Sequence, residues 1–533
     1  MKKTEALFVG SFIGVIIALF AGVFDGNKTE KIRGLPDTKY GAFLAAQHAI
    51  YVNDFDAAAK YSAVLDGADA TVVKNAKIMS DFLSGRLPDK ASELDKESGT
   101  PARLIYDAYL VEQGNWEKLY ARHKNDNSAL VAPLRIWASA AINHRTEILK
   151  FVDSLDTNSS WKAFVRGQIY VENGDVDKAA AEFANVHVDF MNINDYQYLM
   201  SFYLHHDMLE DAKILREDFT SRPAGLFMLD YKKIPEWSHF TGYKNALAFS
   251  LIQSVSHTQV MMYSDLSILL LRFAQIITPE NDNTDAITYY IGQYFFSNNG
   301  DYHTYFLNVS DSSPFYLFAN LRECEQSGDI KKLKRLVHRH PLFMPAVNKL
   351  VAHYVANGDK NSALGVLQRT LDNKDLNDAA RGFLLKSRAQ VYFAFGDTKK
   401  AQSDVHDAYE MAVIDGEIMA LQAKIWAAEN RELDVAYEYA MKLVRVNPSD
   451  VFAWDVLGRV IAVSEGAEPA LELLERVGEM AKECSSLFEN LGDLYAKTGN
   501  IKKARDAYMR AIELSGDGLV VAPNIERKIR KLK

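Results

Sequence analysis

Shifted by 34 residues against itself, the stretch 451–514 pairs Trp454 with Phe488, Leu457 with Leu491, Gly458 with Gly492 and Ile461 with Tyr495. It then pairs Ala470 with Ala504, Leu474 with Tyr508 and Val477 with Ala511. A chain with such a period stacks copies of one supersecondary unit, because no single unit buries its own apolar face. The order of large, Leu, Gly, aromatic, then Ala, bulky and small residues predicts two antiparallel helices joined by a tight turn. At 533 residues the chain exceeds what one hydrophobic core supports, and the period favours an elongated array over several unrelated domains.

The turn inside each helix pair gives a second test. The first helix must stop at a left-handed residue and the second must start with a cap, and Gly followed by Asp or Asn does both. That dipeptide occurs at Gly114-Asn115, Gly174-Asp175, Gly300-Asp301, Gly328-Asp329, Gly358-Asp359, Gly396-Asp397 and Gly499-Asn500. Four of these lie in a longer pattern that starts at Tyr170, Tyr354, Tyr392 and Tyr495 and ends at Ala179, Ala363, Ala401 and Ala504. The tyrosine is expected to fill the space between the two helices, and the alanine to mark their close approach.

The segment FENLGDLYAKTGNIKKARDAYMRAIEL, residues 488–514, resembles the tetratricopeptide repeat at nearly every defining position. The resemblance implies an all-α, right-handed superhelical solenoid of helix-turn-helix repeats that binds a protein or peptide in its concave groove. Over its length the chain resembles multi-repeat proteins of this family from alphaproteobacteria that carry an N-terminal anchor or signal segment. The expected divisions are an N-terminal repeat-like array at 39–219, an irregular break or hinge at 220–243, a C-terminal array at 244–515 and a capping helix at 516–533. The break is expected because Pro223, Gly225, Pro235 and Gly242 interrupt the helical period.

After a short tail at 1–5, residues 6–24 carry no charge. As a helix they would span about 28 Å, enough for a hydrocarbon core of about 30 Å. A transmembrane anchor is preferred over a cleaved signal peptide, since small residues do not occupy both key positions of a cleavage site. Gly10, Gly14, Ala18 and Gly22 form a small-residue stripe that would allow homodimeric packing in the membrane. Residues 25–38 read as a tether. Basic residues flank both ends almost equally, so the orientation stays open. A single-pass inner-membrane protein with a periplasmic solenoid is expected, for envelope assembly, secretion or polysaccharide export. The alternative faces the cytoplasm and recruits a protease or biosynthetic enzyme.

A formal charge of −9 gives no basis for a nucleic-acid partner. Cys324 and Cys484 form no CxxC pair, and no phosphate loop, HExxH motif or nucleophile elbow occurs. Neither a cofactor nor a metal nor catalysis is expected. His205, His206, Asp207 and Glu210 read as a solvated turn rather than a metal site, and His338 and His340 as a basic helix end. The regional anomaly is aromatic density: eleven rings lie between Tyr289 and Phe318. Adjacent rings cannot all enter one interface, so Tyr289, Tyr290, Tyr294, Phe295, Tyr302 and Tyr305 are candidate partner-binding residues, with core packing as the competing role.

Overall fold

The computed structural model describes residues 38–65, 71–96, 99–128, 131–231, 234–257, 265–278, 284–298, 300–411, 415–480 and 483–532. Among these the chain is all α, with short 3-10 turns. Contacts divide it into two compact units, Met1–Ser80 and Asp81–Lys533. In the first, α1 (Lys39–Tyr51) and α2 (Phe55–Ala63) form a hairpin that turns at Asn53, and α3 (Thr71–Leu83) begins there and ends in the second unit.

The second unit continues with helix pairs. They are α4 (Thr100–Glu112) and α5 (Trp116–His123), α6 (Ala132–Ala141) and α7 (Arg145–Ser154), α8 (Ser159–Glu172) and α9 (Val176–Phe183), and α10 (Ile193–His205) and α11 (Leu209–Thr220). After the irregular stretch come α12 (Tyr243–Ser256), α13 (Asp265–Ile277), α14 (Thr284–Ser297) and α15 (His303–Leu307). Pairing resumes with α16 (Phe315–Ser327) and α17 (Ile330–Arg339), α18 (Met344–Ala356) and α19 (Lys360–Leu371), and α20 (Asp378–Ala394) and α21 (Thr398–Glu410). It ends with α22 (Gly416–Ala428) and α23 (Leu433–Val446), α24 (Val451–Ser464) and α25 (Ala467–Met480), α26 (Ser485–Lys497) and α27 (Ile501–Glu513), closed by α28 (Ala522–Lys531).

The turn chemistry explains the pairs. Gly114, Gly174, Gly328, Gly358, Gly396 and Gly499 all take left-handed φ between 63° and 81°. Asn115, Asp329, Asp359, Asp397 and Asn500 each accept a backbone N–H of the following helix. Asp175 departs from this and takes the Lys178 ammonium instead. The turn at Gly300 adjoins residue 299, which lies outside the described residues. Ala179, Ala363, Ala401 and Ala504 are fully buried, as close helix approach requires. The tyrosines differ from expectation: Tyr170, Tyr354, Tyr392 and Tyr495 are half-buried at the pair's rim, each with a lysine ammonium over its ring.

One contact recurs in three pairs. A Cβ on Gly167 would sit 2.2 Å from the Phe183 ring, on Gly458 2.6 Å from Leu474, and on Gly492 2.4 Å from the Tyr508 ring. Gly167→Ala is therefore expected to lower stability by about 1–3 kcal/mol through overpacking. Gly365→Ala, which meets nothing within 4 Å in α19, is expected to show no loss in the same urea-unfolding measurement.

The single-pass inner-membrane expectation is corrected, because no helix among the described residues is long and apolar enough to cross a membrane. Residues 6–24, with Gly10, Gly14, Ala18 and Gly22, lie outside the described residues, as does nearly all of the segment read as a tether.

Candidate binding surface

The first helix of each pair in 100–205 contributes to one continuous face, and α12 lies across it. Lys244 bonds Glu112 of α4 at 2.8 Å, and the Trp137 indole of α6 donates to Ser250 at 2.8 Å. Phe249 stacks parallel on Phe164 of α8 and meets Tyr198 of α10. Gln253 and His257 reach Asp195 of α10 at 2.6 and 2.7 Å. From Ala246 to Gln253 every residue of α12 is buried, which suits a helix apolar around its whole circumference. The face formed by these first helices is thus covered by the chain itself.

The connector at 220–243 makes this return possible, and it is packed rather than open. Leu226, Phe227 and Met228 are buried, with Phe227 against Phe318 and Phe343. Trp237 packs on Tyr198, Phe202, His205 and His206. The two histidines therefore serve an aromatic contact, and burial holds the His206 imidazole below its ordinary pKa. Among the described residues no His, Cys, Asp and Glu group is arranged to hold a metal ion.

Of the aromatic residues singled out by density, Tyr289, Tyr294, Phe295 and Tyr302 are buried, while Tyr290 and Tyr305 keep partial exposure. Tyr289 packs on Phe306 and Phe315, Phe295 stacks on Tyr305 at 4.9 Å, and Tyr302 meets Phe296. The five-residue α15 is too short to cover α14, and these rings fill the space.

In the C-terminal array α18, α20, α22 and α24, with the end of α23 and with Pro223 and Leu226 of the connector, border an open cleft of about 760 Å³. Met344, Phe383, Met419 and Phe452 give it an apolar floor, and Lys386, Asp415 and Glu417 a polar edge. Lys386 is tied to Asp415 at 2.5 Å and Glu417 at 2.9 Å. One turn beyond the cleft-lining Ala420, Lys424 is only 7% exposed, its ammonium 4.9 Å from the Phe452 ring and 5.5 Å from Phe393. Burial first, and then repulsion from Arg459, pull its pKa down to about 8. Asp455 is fully buried and accepts bonds from Arg459, Ser486 and Asn490. Burial alone would raise its carboxyl, but Arg459 and Lys424 outweigh that and hold it below the usual range.

The tetratricopeptide repeat family matches residues 485–517, covering α26, its turn at Gly499 and α27. The chain carries a tetratricopeptide repeat. The Gly-to-second-helix contact of this repeat, Gly492 on Tyr508, recurs at Gly458 and Gly167 outside the matched residues. No curated protein matches. A chain from the crystal structure of the APC/C hetero-tetramer Cut9-Hcn1 is similar at 15% identity, covering 92% of this chain and 89% of that one. Its TM-score of 0.35 is too low for that likeness to carry any argument. The family match bears on the repeat, and so on protein–protein interaction, but not on a bacterial lineage or a pathway.

Of the cleft residues only Pro223 stood out in the sequence, as a breaker of the helical period. Met344, Phe383, Met419 and Phe452 each sit in apolar helix segments, where a single large side chain reads as core. The available signal was a charge inside such a segment: Lys424 within EIMALQAKIWAA and Asp455 within VFAWDVLGRV.

Proposed function

We propose that this protein is a non-catalytic repeat scaffold that holds a segment of a partner protein in the cleft bordered by α18, α20, α22 and α24. The observation that carries the reading is the contrast between two faces of the array. The N-terminal one is filled by α12, whereas the C-terminal one keeps an open cleft of about 760 Å³. That volume falls within the range of ligand-binding clefts, with an apolar floor for affinity and a few fixed polar groups for orientation. Methionines at positions 344 and 419 suit a surface that adapts to side chains of varied shape. The buried Lys424 ammonium beside the floor, which shares its neighbouring carboxylate Asp455 with Arg459, favours a segment that brings a further carboxylate toward Phe452.

A photo-crosslinking residue placed at Phe452 or Phe383 of the full chain tests this in cells. Adducts to one polypeptide are expected at both sites, and none from Leu307, which is 79% exposed on α15. Equal labelling from Leu307 would sink the reading.

A further inference from the structure

α17 is the most one-sided helix of the array. Its ten residues, IKKLKRLVHR, hold Lys331, Lys332, Lys334, Arg335 and Arg339 and no carboxylate, in a chain of formal charge −9. Leu333, Leu336 and Val337 are buried as α17 packs on α16 and α18, so the cations face outward. Lys331, Lys334, Arg335 and Arg339 are all exposed. Lys331, Arg335 and Arg339 recur at every fourth residue and form a stripe about 12 Å long.

The density of these charges sets α17 apart. Asp329 accepts the backbone amides of Lys331 and Lys332 and lies near enough to Arg335 and Lys331 for them to help hold its carboxyl down, Glu323 lies 4.0 Å from Lys332, and Lys334 rests over the Tyr354 ring. Among the described residues Lys331, Arg335 and Arg339 have no carboxylate within ion-pair distance. Some cations of other second helices have partners, since Lys360 and Lys400 share Asp397, Arg476 has Glu472 and Lys503 has Glu475, and α23 and α27 carry carboxylates of their own among their cations. Like charges one turn apart repel, and the helix dipole relieves only those in the last turn. A helix that keeps such a stripe leaves its counter-charge to come from outside.

We propose that the exposed face of α17 docks an acidic protein segment whose carboxylates repeat at helical spacing and pair with Lys331, Arg335 and Arg339. No residue of α17 borders the cleft, so this is a separate contact that does not rest on the cleft reading. Charge complementarity favours a short acidic segment over an extended polyanion. The exposed face offers no apolar side chain to insert into a lipid surface. The stripe spans about 12 Å, and the net negative charge repels a phosphate-dense membrane or duplex at range.

The test titrates the full chain with a fluorescent twenty-residue helical peptide carrying glutamates at every fourth position. The probe is expected to bind, to weaken as salt rises from about 0.05 to 0.3 M, and to weaken at least tenfold in the triple variant Lys331→Gln, Arg335→Gln, Arg339→Gln. All three side chains are exposed, so the variant should keep the wild-type melting curve, which is measured alongside. Phe452→Ala is expected to bind the probe like wild type, which separates this surface from the cleft. Undiminished binding by the triple variant would overturn the proposal. So would tighter retention by phosphatidylserine vesicles or a DNA duplex than by the peptide.

Discussion

Asp455→Ala is expected to cost the second unit about 3–5 kcal/mol, because it leaves the Arg459 guanidinium and the Lys424 ammonium together in a buried site without their carboxylate. Ser486 and Asn490 would lose their acceptor in the same step. Lys424→Met should move stability the other way. A lysine whose pKa falls from 10.5 to about 8 on folding bears a cost near 3 kcal/mol at neutral pH, where folded and unfolded chains are both protonated. The unfolded chain holds more protons between about pH 8 and 10.5, so wild-type stability should rise across that window. Methionine keeps the volume, removes the cost and abolishes the rise. Urea midpoints of the three proteins at pH 7 and pH 10 check both signs; a Lys424→Met protein less stable than wild type at pH 7 would show that the ammonium is satisfied inside the array.

The helix pairs were legible in the sequence because their turn needs a particular backbone. Gly499 with Asn500 supplies a left-handed residue and then a cap, and five of the seven such dipeptides do both. Turns at Asn53, Asn143, Asp207 and Asn430 use the same left-handed conformation without glycine, with φ from 51° to 65°. Asn and Asp tolerate it through their short polar side chains, but they are common elsewhere, so the signal fades.

Partnership between distant helices was much less legible. The run ALAFSLIQSV in α12 announces burial, yet a helix apolar on all sides says nothing about what covers it. Its return across α4, α6, α8 and α10 depends on the path of the connector, which local pattern does not encode. Aromatic density leaves the role of a ring open for a related reason. Phe295 and Tyr305 look like binding residues by composition, and the structure stacks them on each other because α15 is too short to cover α14. Conversely, Phe452 carries no density signal and borders the cleft, because one large side chain in an apolar helix does not reveal whether a neighbour covers it.

Phe249→Ala is expected to cost about 3–5 kcal/mol and to do so at one place, the face covered by α12. Phe249 is 1% exposed and contacts Phe164, Tyr198 and Phe240, so truncation empties a site enclosed by rigid rings that collapse poorly. The polar ties at either end, Lys244 to Glu112 and His257 to Asp195, do not replace that contact. Because one helix spans four pairs, its loosening should expose them together. Hydrogen exchange is therefore expected to rise in α6, α8, α10 and α12 as a block, while α20 through α27 keep wild-type protection. Faster exchange confined to α12 would mean that the N-terminal pairs stand without it and that their face can be uncovered at little cost. A block response would mean that α12 is part of their core, leaving the C-terminal cleft as the surface available to a partner.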